Sequence, residues 1–110
     1  MTTPKRRGMV VKLRADQVAA YCALHADTWP DVQQALRAAN IRNYTIYLRC
    51  PENILFGHWE YHGNDFAADL AALDARPVMK KWLAICGPMQ VGLGMEDDGW
   101  AVMEEVFHLD

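Results

Sequence analysis

Residues 43–61, NYTIYLRCPENILFGHWEY, predict two β-strands joined by a tight turn. The segments on either side of residues 50–53 are rich in aromatic and β-branched side chains, which favour strands. Pro51 and Asn53 lie between them and favour a turn. Side chains alternate along a strand, so Tyr44, Ile46 and Leu48 are expected on one face. The sequence therefore predicts an antiparallel hairpin at its centre.

Outward from this hairpin, the chain alternates between helical and extended patterns. Residues 9–13 predict a strand, and residues 16–40 predict a helix that Asp16 caps and that ends at Asn40. Pro30 must interrupt or restart this helix because it has no backbone N–H, and Thr28 is the expected cap of the second part. Downstream, residues 65–73 predict a helix, Pro77 begins another that ends at 87–88, residues 89–99 predict a loop, and residues 101–109 predict the last strand.

The order β-α-β-β-α-α-β is typical of an α+β, ferredoxin-like sandwich, with a four-stranded antiparallel sheet and helices on one face. The length of 110 residues suits a single domain, with residues 1–8 predicted as a flexible tail. The uncovered face of the sheet would carry Thr45 and Tyr47. Because an exposed apolar face is usually covered by another copy, we expect a homodimer.

Composition and charge exclude several classes of function. The net charge of -3 and the pI of about 5.7 argue against binding to nucleic acid. No segment predicts a membrane span or a signal peptide. Cys22, Cys50 and Cys86 are widely spaced, which argues against a disulfide framework or structural zinc and suggests a reducing cytoplasm. No phosphate-binding or dinucleotide-binding glycine motif is present.

Tyr21, His25 and Trp29 follow one another at intervals of four, so they share one face of the first helix. Aromatic rings stack on the C–H bonds of sugars, and histidine titrates near neutral pH. The group therefore suits binding and proton transfer to a sugar. A core stripe with a hydrogen-bonded histidine explains the same spacing. Tyr44 and Trp82 are candidates for the same cavity, although each is also a common core residue.

His58, Glu60 and His62 occupy alternate positions of the predicted third strand and so share a face. Two imidazoles and a carboxylate could hold a divalent metal, although exposed histidines at a strand end are more common. Glu60 is also a candidate to orient His25 or to act as a second acid or base.

Taken together, four motifs resemble the L-rhamnose mutarotases over residues 9–109. They are Tyr21-x-x-x-His25-x-x-x-Trp29-Pro30, the strand from Asn43 to Leu48, Trp82, and Glu105-Val106-Phe107-x-Leu109. The resemblance implies a dimeric α+β barrel with one sugar site in each subunit. It also implies that His25 is the general acid, that Tyr21 and Tyr44 bind sugar, and that Trp82 is the first of two adjacent tryptophans in the pocket.

The sequence departs from the family pattern at Leu83, where the second tryptophan is expected. His108 also stands where a tyrosine is common. The resemblance implies an isomerase that interconverts the α and β anomers of a 6-deoxyhexose, with L-rhamnose expected first and L-fucose or a related sugar as an alternative. Ring opening and closure by acid–base catalysis requires no metal and no cofactor. The acceptor of the anomeric proton stays open between Glu60, Asp27 and water.

Two other functions fit the same architecture. Monooxygenases, either cofactor-free or haem-dependent, also form dimeric α+β barrels with a histidine on a helix. A sugar-binding module without catalysis would use the same aromatic residues.

Overall fold

The computed structural model describes residues 5–93 and 99–110, which form one sheet with helices packed on one face. The elements in chain order are β1 (Lys5–Leu13), α1 (Val18–Ala26), α2 (Pro30–Ala38), β2 (Ile41–Arg49), β3 (Ile54–Tyr61), α3 (Phe66–Ala75), α4 (Pro77–Cys86), β4 (Gln90–Val91) and β5 (Ala101–Met103). None of the helices within these described ranges is both long and apolar enough to cross a membrane.

The sheet has the strand order β2-β3-β1-β4, with β5 also paired to β1, and every pairing is antiparallel. Along β1 and β3 the side chains alternate between a buried face, which packs against the helices, and a more exposed face. The buried face of these two strands carries Met9, Val11, Leu13, Leu55, Trp59 and Tyr61. The predicted α+β fold is confirmed, including the central hairpin.

A β-bulge interrupts the pairing of β2 with β3 between Arg42 and Thr45. Arg42 pairs with Glu60 and Thr45 pairs with His58, so two residues of β2 lie opposite Trp59 alone. Asn43 adopts a left-handed conformation there, with φ of 51°. The extra residue reverses the alternation of the strand, which places Tyr44 on the same face as Ile41 and Ile46.

Both predicted helix caps are wrong, for local reasons. Asp16 lies in a short 3₁₀ turn, Ala15–Gln17, and gives α1 no side-chain cap. Thr28 does not cap α2, which begins directly after Trp29 with Pro30 in its first turn. The Thr28 hydroxyl instead donates to the His25 carbonyl at 2.8 Å, which satisfies an acceptor at the end of α1. The predicted helix end at Asn40 is confirmed by its φ of 65°.

The first and last strands differ in length from the prediction. β1 begins at Lys5, so residues 5–8 belong to the sheet and only residues 1–4 of the predicted tail lie outside the described residues. β5 ends at Met103, and residues 104–110 continue without regular structure. Part of the loop predicted at 89–99 forms β4, while residues 94–98 lie outside the described part of the chain.

Candidate active site

A cavity of about 690 Å³ lies between the helices and the sheet. Both layers contribute polar and aromatic side chains to it. Its lining includes five of the side chains singled out in the sequence: Tyr21, His25, Tyr44, Trp82 and Leu83. The first and last of these residues are separated by more than half of the chain, and the fold brings them together. The volume falls within the range of small-molecule sites, roughly 300–1,000 Å³.

Tyr21 and His25 are one turn apart on α1 and their rings stack, with centroids 4.0 Å apart and planes inclined at 20°. The His25 Nδ1 also lies 3.0 Å from the Tyr21 backbone carbonyl oxygen. A carbonyl can only accept, so this contact assigns the proton of neutral His25 to Nδ1. The other ring nitrogen, Nε2, is then the one that takes up and releases a proton.

Burial lowers the pKa of His25 below its usual 6.5, and the hydrogen bond to the Tyr21 carbonyl partly opposes that shift. The charged imidazolium is less well solvated in the cavity wall than in water, which is the cause of the larger effect. At neutral pH, therefore, His25 is uncharged and Nε2 carries a free lone pair. In this state Nε2 can accept a proton, and the imidazolium that results can donate it.

Trp82 is the central aromatic of the helical wall. Its ring makes edge contacts with His25, at 5.1 Å between centroids, and with Trp29, at 5.0 Å. Trp82 is buried, whereas Leu83 beside it is 50 % exposed and also lines the cavity. Trp29 is not on the cavity wall, although the sequence made it a candidate for sugar binding. It packs against Trp82 and holds that ring in place.

Three more groups on the cavity wall can donate hydrogen bonds: the phenol of Tyr21 on α1, the phenol of Tyr44 on β2 and the thiol of Cys86 at the end of α4. Burial raises the pKa of Tyr21 well above 10, and a hydrogen bond with the Gln90 side chain partly opposes this. Burial raises the pKa of Tyr44 to about 12 and that of Cys86 to about 11. All three groups therefore keep their protons at neutral pH and act as hydrogen-bond donors.

Glu60 does not reach the cavity. Its neighbours Trp59 and Tyr61 point into the helix-facing core, so the side chain of Glu60 lies on the opposite face of the sheet. There its carboxylate accepts hydrogen bonds from Asn43 at 3.0 Å and from His62 at 2.9 Å, which lower its pKa. The sequence-based suggestion that Glu60 orients His25 is thus incompatible with this arrangement within one subunit.

His58, Glu60 and His62, which the sequence offered as a possible but less common metal site, do not form one. In residues 5–93 and 99–110, no set of three or more His, Cys, Asp and Glu side chains is arranged to hold a metal ion. His62 is paired with Glu60 instead.

Sequence reasoning did not find several residues of the cavity, among them Cys86, Gln90 and Trp100. Cys86 ends α4. Gln90 belonged to the predicted loop at 89–99, and Trp100 lay between that loop and the predicted last strand at 101–109. Strand pairing would have been the only signal for Gln90. It lies opposite Leu13 of β1, whose side chain is on the buried face, so Gln90 points to the same side. At the outer part of the cavity, the lining also includes the exposed residues Arg37, Arg42 and Asp74.

The sequence profile of the L-rhamnose mutarotases matches residues 6–109. The chain belongs to the L-rhamnose mutarotase family. An L-rhamnose mutarotase of Mesorhizobium japonicum is 31% identical over 110 residues, an alignment that covers 96% of this chain and 98% of that protein. The L-rhamnose mutarotase of Lactiplantibacillus plantarum is 30% identical over 108 residues, covering 96% and 98% of the two chains.

Solved structures agree with this family. The crystal structure of an L-rhamnose mutarotase from Formosa agariphila superposes with a TM-score of 0.76 at 26% identity, covering 96% of this chain and 99% of that one. A protein from Mycobacterium tuberculosis, Rv0793, shares only the fold, with a TM-score of 0.62 at 15% identity. Membership of the L-rhamnose mutarotase family confirms the resemblance seen in the sequence, and with it an isomerase of the mutarotase class.

Proposed function

We propose that this chain interconverts the α and β anomers of a 6-deoxyhexose, with L-rhamnose as the first candidate, and that His25 carries the proton. The observation that supports this most directly is the state of His25. It is neutral, its Nδ1 is held by the Tyr21 carbonyl, and it lies in the wall of a cavity lined by aromatic rings. The relatives named above are L-rhamnose mutarotases, which supports the choice of sugar.

The reaction needs one group that moves a proton between two neighbouring oxygens. Nε2 of His25 accepts the proton of the anomeric hydroxyl, and the bond between C1 and the ring oxygen breaks as C1 becomes an aldehyde. The ring oxygen then takes the proton from the imidazolium. Rotation about the C1–C2 bond and closure on the other face of the carbonyl, by the reverse steps, give the other anomer.

A single nitrogen can serve both oxygens because both are bonded to C1 in the closed ring. Glu60 lies on the other face of the sheet and Asp27 is not on the cavity wall, so neither supports a second acid or base within this subunit. We therefore assign to His25 the role of base on the anomeric hydroxyl and of acid on the ring oxygen. This extends the acid role that the sequence motif implied.

Tyr21, Tyr44 and the Trp82 face are the proposed contacts to the sugar. Both phenols remain protonated, so they can donate to sugar hydroxyls or to the ring oxygen. The Trp82 ring offers an apolar surface for the C–H bonds of the pyranose. Leu83 provides a smaller apolar surface than a tryptophan and no N–H donor, and this leaves L-fucose as the alternative sugar.

We also propose that the protein is a homodimer. The face of the sheet opposite the helices carries Tyr47, which is 65 % exposed, and Phe56, which is 38 % exposed. Val106, Phe107 and Leu109 of the C-terminal segment are 78 % exposed or more. These apolar surfaces would be covered by a second copy. A dimeric mass in light scattering at micromolar concentration is expected, and a monomer would contradict the proposal.

The cytoplasm is the compartment that we propose for this enzyme. Cys22, Cys50 and Cys86 are all free thiols in the structure, with the first two exposed. Free exposed thiols persist in a reducing compartment.

The test of the activity is proton NMR saturation transfer between the α and β anomeric signals, with L-rhamnose and L-fucose in parallel samples. We expect enzyme-dependent transfer that is faster for L-rhamnose and absent with His25→Ala. Faster transfer with L-fucose would change the assigned sugar and keep the reaction. An absence of transfer with both sugars would contradict the proposed function.

A further inference from the structure

Trp100 lies on the helix-facing side of the sheet immediately before β5. Ala101 pairs with Val10 and Val102 pairs with Met9, whose side chain is in the buried core. Alternation then places Trp100 on the same side as Met9. Consistent with this, Trp100 packs against the core and lines the cavity.

Gly57 provides the space that Trp100 occupies. It is a buried position of β3, opposite Met9 on one side and Ile46 on the other, so it lies at the centre of the sheet. A Cβ at Gly57 would lie 3.3 Å from Cζ3 and 3.4 Å from Cη2 of the Trp100 indole. The six-membered ring therefore rests directly on the backbone of β3. Any larger residue would lift the indole off the sheet.

The indole of Trp100 is only partly buried, so part of its surface remains on the cavity. The helical wall of the same cavity carries Trp82, which is buried, and Leu83, which is half-exposed. The leucine supplies neither a π surface nor an N–H donor, and Trp100 can supply both from the sheet side.

We propose that Trp100 is the second aromatic surface of the sugar site. The inference rests on the proposed function and adds a substrate contact to it. The pyranose lies between the helical wall, with Trp82 and Leu83, and the indole of Trp100 on the sheet. Its C–H face stacks on that indole. Trp100 provides from the sheet the aromatic surface that Leu83 does not provide from α4.

The test compares Trp100→Phe and Trp100→Leu with wild type, using the rate of anomer exchange over a range of L-rhamnose concentrations. Stacking acts in the bound ground state, so we expect KM to rise about 3- to 10-fold in Trp100→Leu with kcat nearly unchanged. Trp100→Phe keeps a ring on Gly57 and should recover most of the affinity. Val102→Ala, two residues further along the chain and outside the cavity lining, is the matched control and should leave KM unchanged.

A second readout does not depend on catalysis. The indole N–H signals of the four tryptophans can be followed by NMR as L-rhamnose is added, with Trp100 assigned from its loss in Trp100→Phe. The Trp100 N–H signal should shift as L-rhamnose is added, and the sugar concentration at half of the full shift should be close to KM. Trp29, which is not on the cavity wall, should not shift.

A purely structural role for Trp100 predicts a lower melting temperature in Trp100→Leu with unchanged KM and no shift of its N–H signal, and that result would overturn the inference. The double variant Leu83→Trp/Trp100→Leu should regain affinity relative to Trp100→Leu, while no gain would contradict the exchange of one surface for the other. If the wild-type protein exchanges the anomers of neither sugar, the proposed function itself is wrong. If wild type is active and the Trp100 variants have the same KM, only the inference about Trp100 is wrong.

Discussion

His25 is attached to Tyr21 in two ways: its Nδ1 lies 3.0 Å from the Tyr21 carbonyl oxygen, and the two rings stack with centroids 4.0 Å apart. The first contact selects the tautomer and the second limits rotation of the imidazole. Trp82 makes an edge contact with the same imidazole, with ring centroids 5.1 Å apart. The imidazole that we propose to transfer the proton is thus held by the tyrosine that we propose to bind the sugar.

The pH dependence of the reaction follows from the lowered pKa of His25. We expect the enzyme-catalysed rate, after subtraction of the spontaneous rate, to be constant above about pH 6.5 and to fall about tenfold per unit below the lowered pKa, because only neutral His25 can accept the anomeric proton. Saturation transfer between pH 4.5 and 8 measures this. A rate that rises as the pH falls through this range would show that the imidazolium starts the reaction.

Folding stability should depend on the same group. Unfolding exposes a histidine with a pKa near 6.5, so the unfolded chain binds the proton more strongly than the folded chain does. The contribution of His25 to stability is complete above about pH 6.5 and decreases as the pH falls through the lowered pKa. Denaturant titrations at pH 5 and pH 7.5 measure the free energy of unfolding at each pH. The difference between these two free energies should therefore be smaller for His25→Gln than for wild type.

Replacement of His25 should separate catalysis from folding. His25→Ala is expected to lower kcat by about 10²- to 10⁴-fold, the usual contribution of one positioned acid–base group. The side chain is only partly buried, so the melting temperature should change little. Circular dichroism melts and saturation transfer on the same sample provide the measurement. A collapse of the fold would instead identify His25 as a core residue with a structural role.

Tyr44 should contribute one hydrogen bond to the bound sugar. Tyr44→Phe removes only the hydroxyl, and we expect a loss of about 0.5–1.5 kcal/mol in sugar binding. Tyr47→Phe is the matched control, because Tyr47 lies on the same strand and faces the other side of the sheet. KM values for both variants test this. Equal effects of the two substitutions on KM would show that Tyr44 does not bind the sugar.

Gln90 and Tyr21 should act as a pair. Both side chains line the cavity, and Gln90 opposes the rise that burial causes in the pKa of the Tyr21 phenol. We therefore expect Gln90→Leu and Tyr21→Phe each to weaken sugar binding, and the double variant to lose less than the sum of the two. The coupling expected for contacting residues is about 0.5 kcal/mol or more. A double-mutant cycle on KM measures it. Strict additivity would mean that Gln90 does not act through Tyr21.

Gly63 should be essential for the packing at the start of α3. A Cβ at this position would overlap the Tyr61 hydroxyl and crowd the Asp69 carboxylate that accepts its hydrogen bond. Asn40 donates to the same carboxylate at 3.0 Å. We expect Gly63→Ala to cost about 1–3 kcal/mol of unfolding free energy, as overpacking commonly does. Gly87→Ala, where nothing lies within 4 Å of the added Cβ, should be nearly neutral in the same urea titration.

Local sequence signals were sufficient for most elements of this fold. Pro30 and Pro77 each lie at the first position of a helix, and Asn40 ends one with a left-handed conformation, because these residues restrict or permit backbone angles by themselves. The four-residue spacing of Tyr21 and His25 was enough to place them together. The predicted helix caps failed because Asp16 lies in a 3₁₀ turn and the Thr28 hydroxyl donates to the His25 carbonyl instead.

Contacts between distant segments could not be obtained in this way. Alternation within residues 43–49 predicts the side on which Tyr44 lies relative to Ile46. Strict alternation from Ile41 would put Tyr44 on the opposite face of the sheet from Ile41. Only the bulge opposite Trp59, which the sequence does not reveal, brings the two side chains to the same face. The short strand of Gln90 and the contact of Trp100 with Gly57 depend on pairing with β1 and β3, which no local pattern encodes.

The sequence by itself determined the family, the helices and the paired Tyr21 and His25, because motif identity and helical spacing are local properties of the chain. The tertiary structure decided that Glu60 is separated from His25 by the sheet and that Gln90 and Trp100 join the cavity. It also decided the protonation of His25, since a pKa depends on burial and on the carbonyl that the ring nitrogen meets. These properties arise from the solvation and neighbours of a side chain, which exist only after the layers have packed.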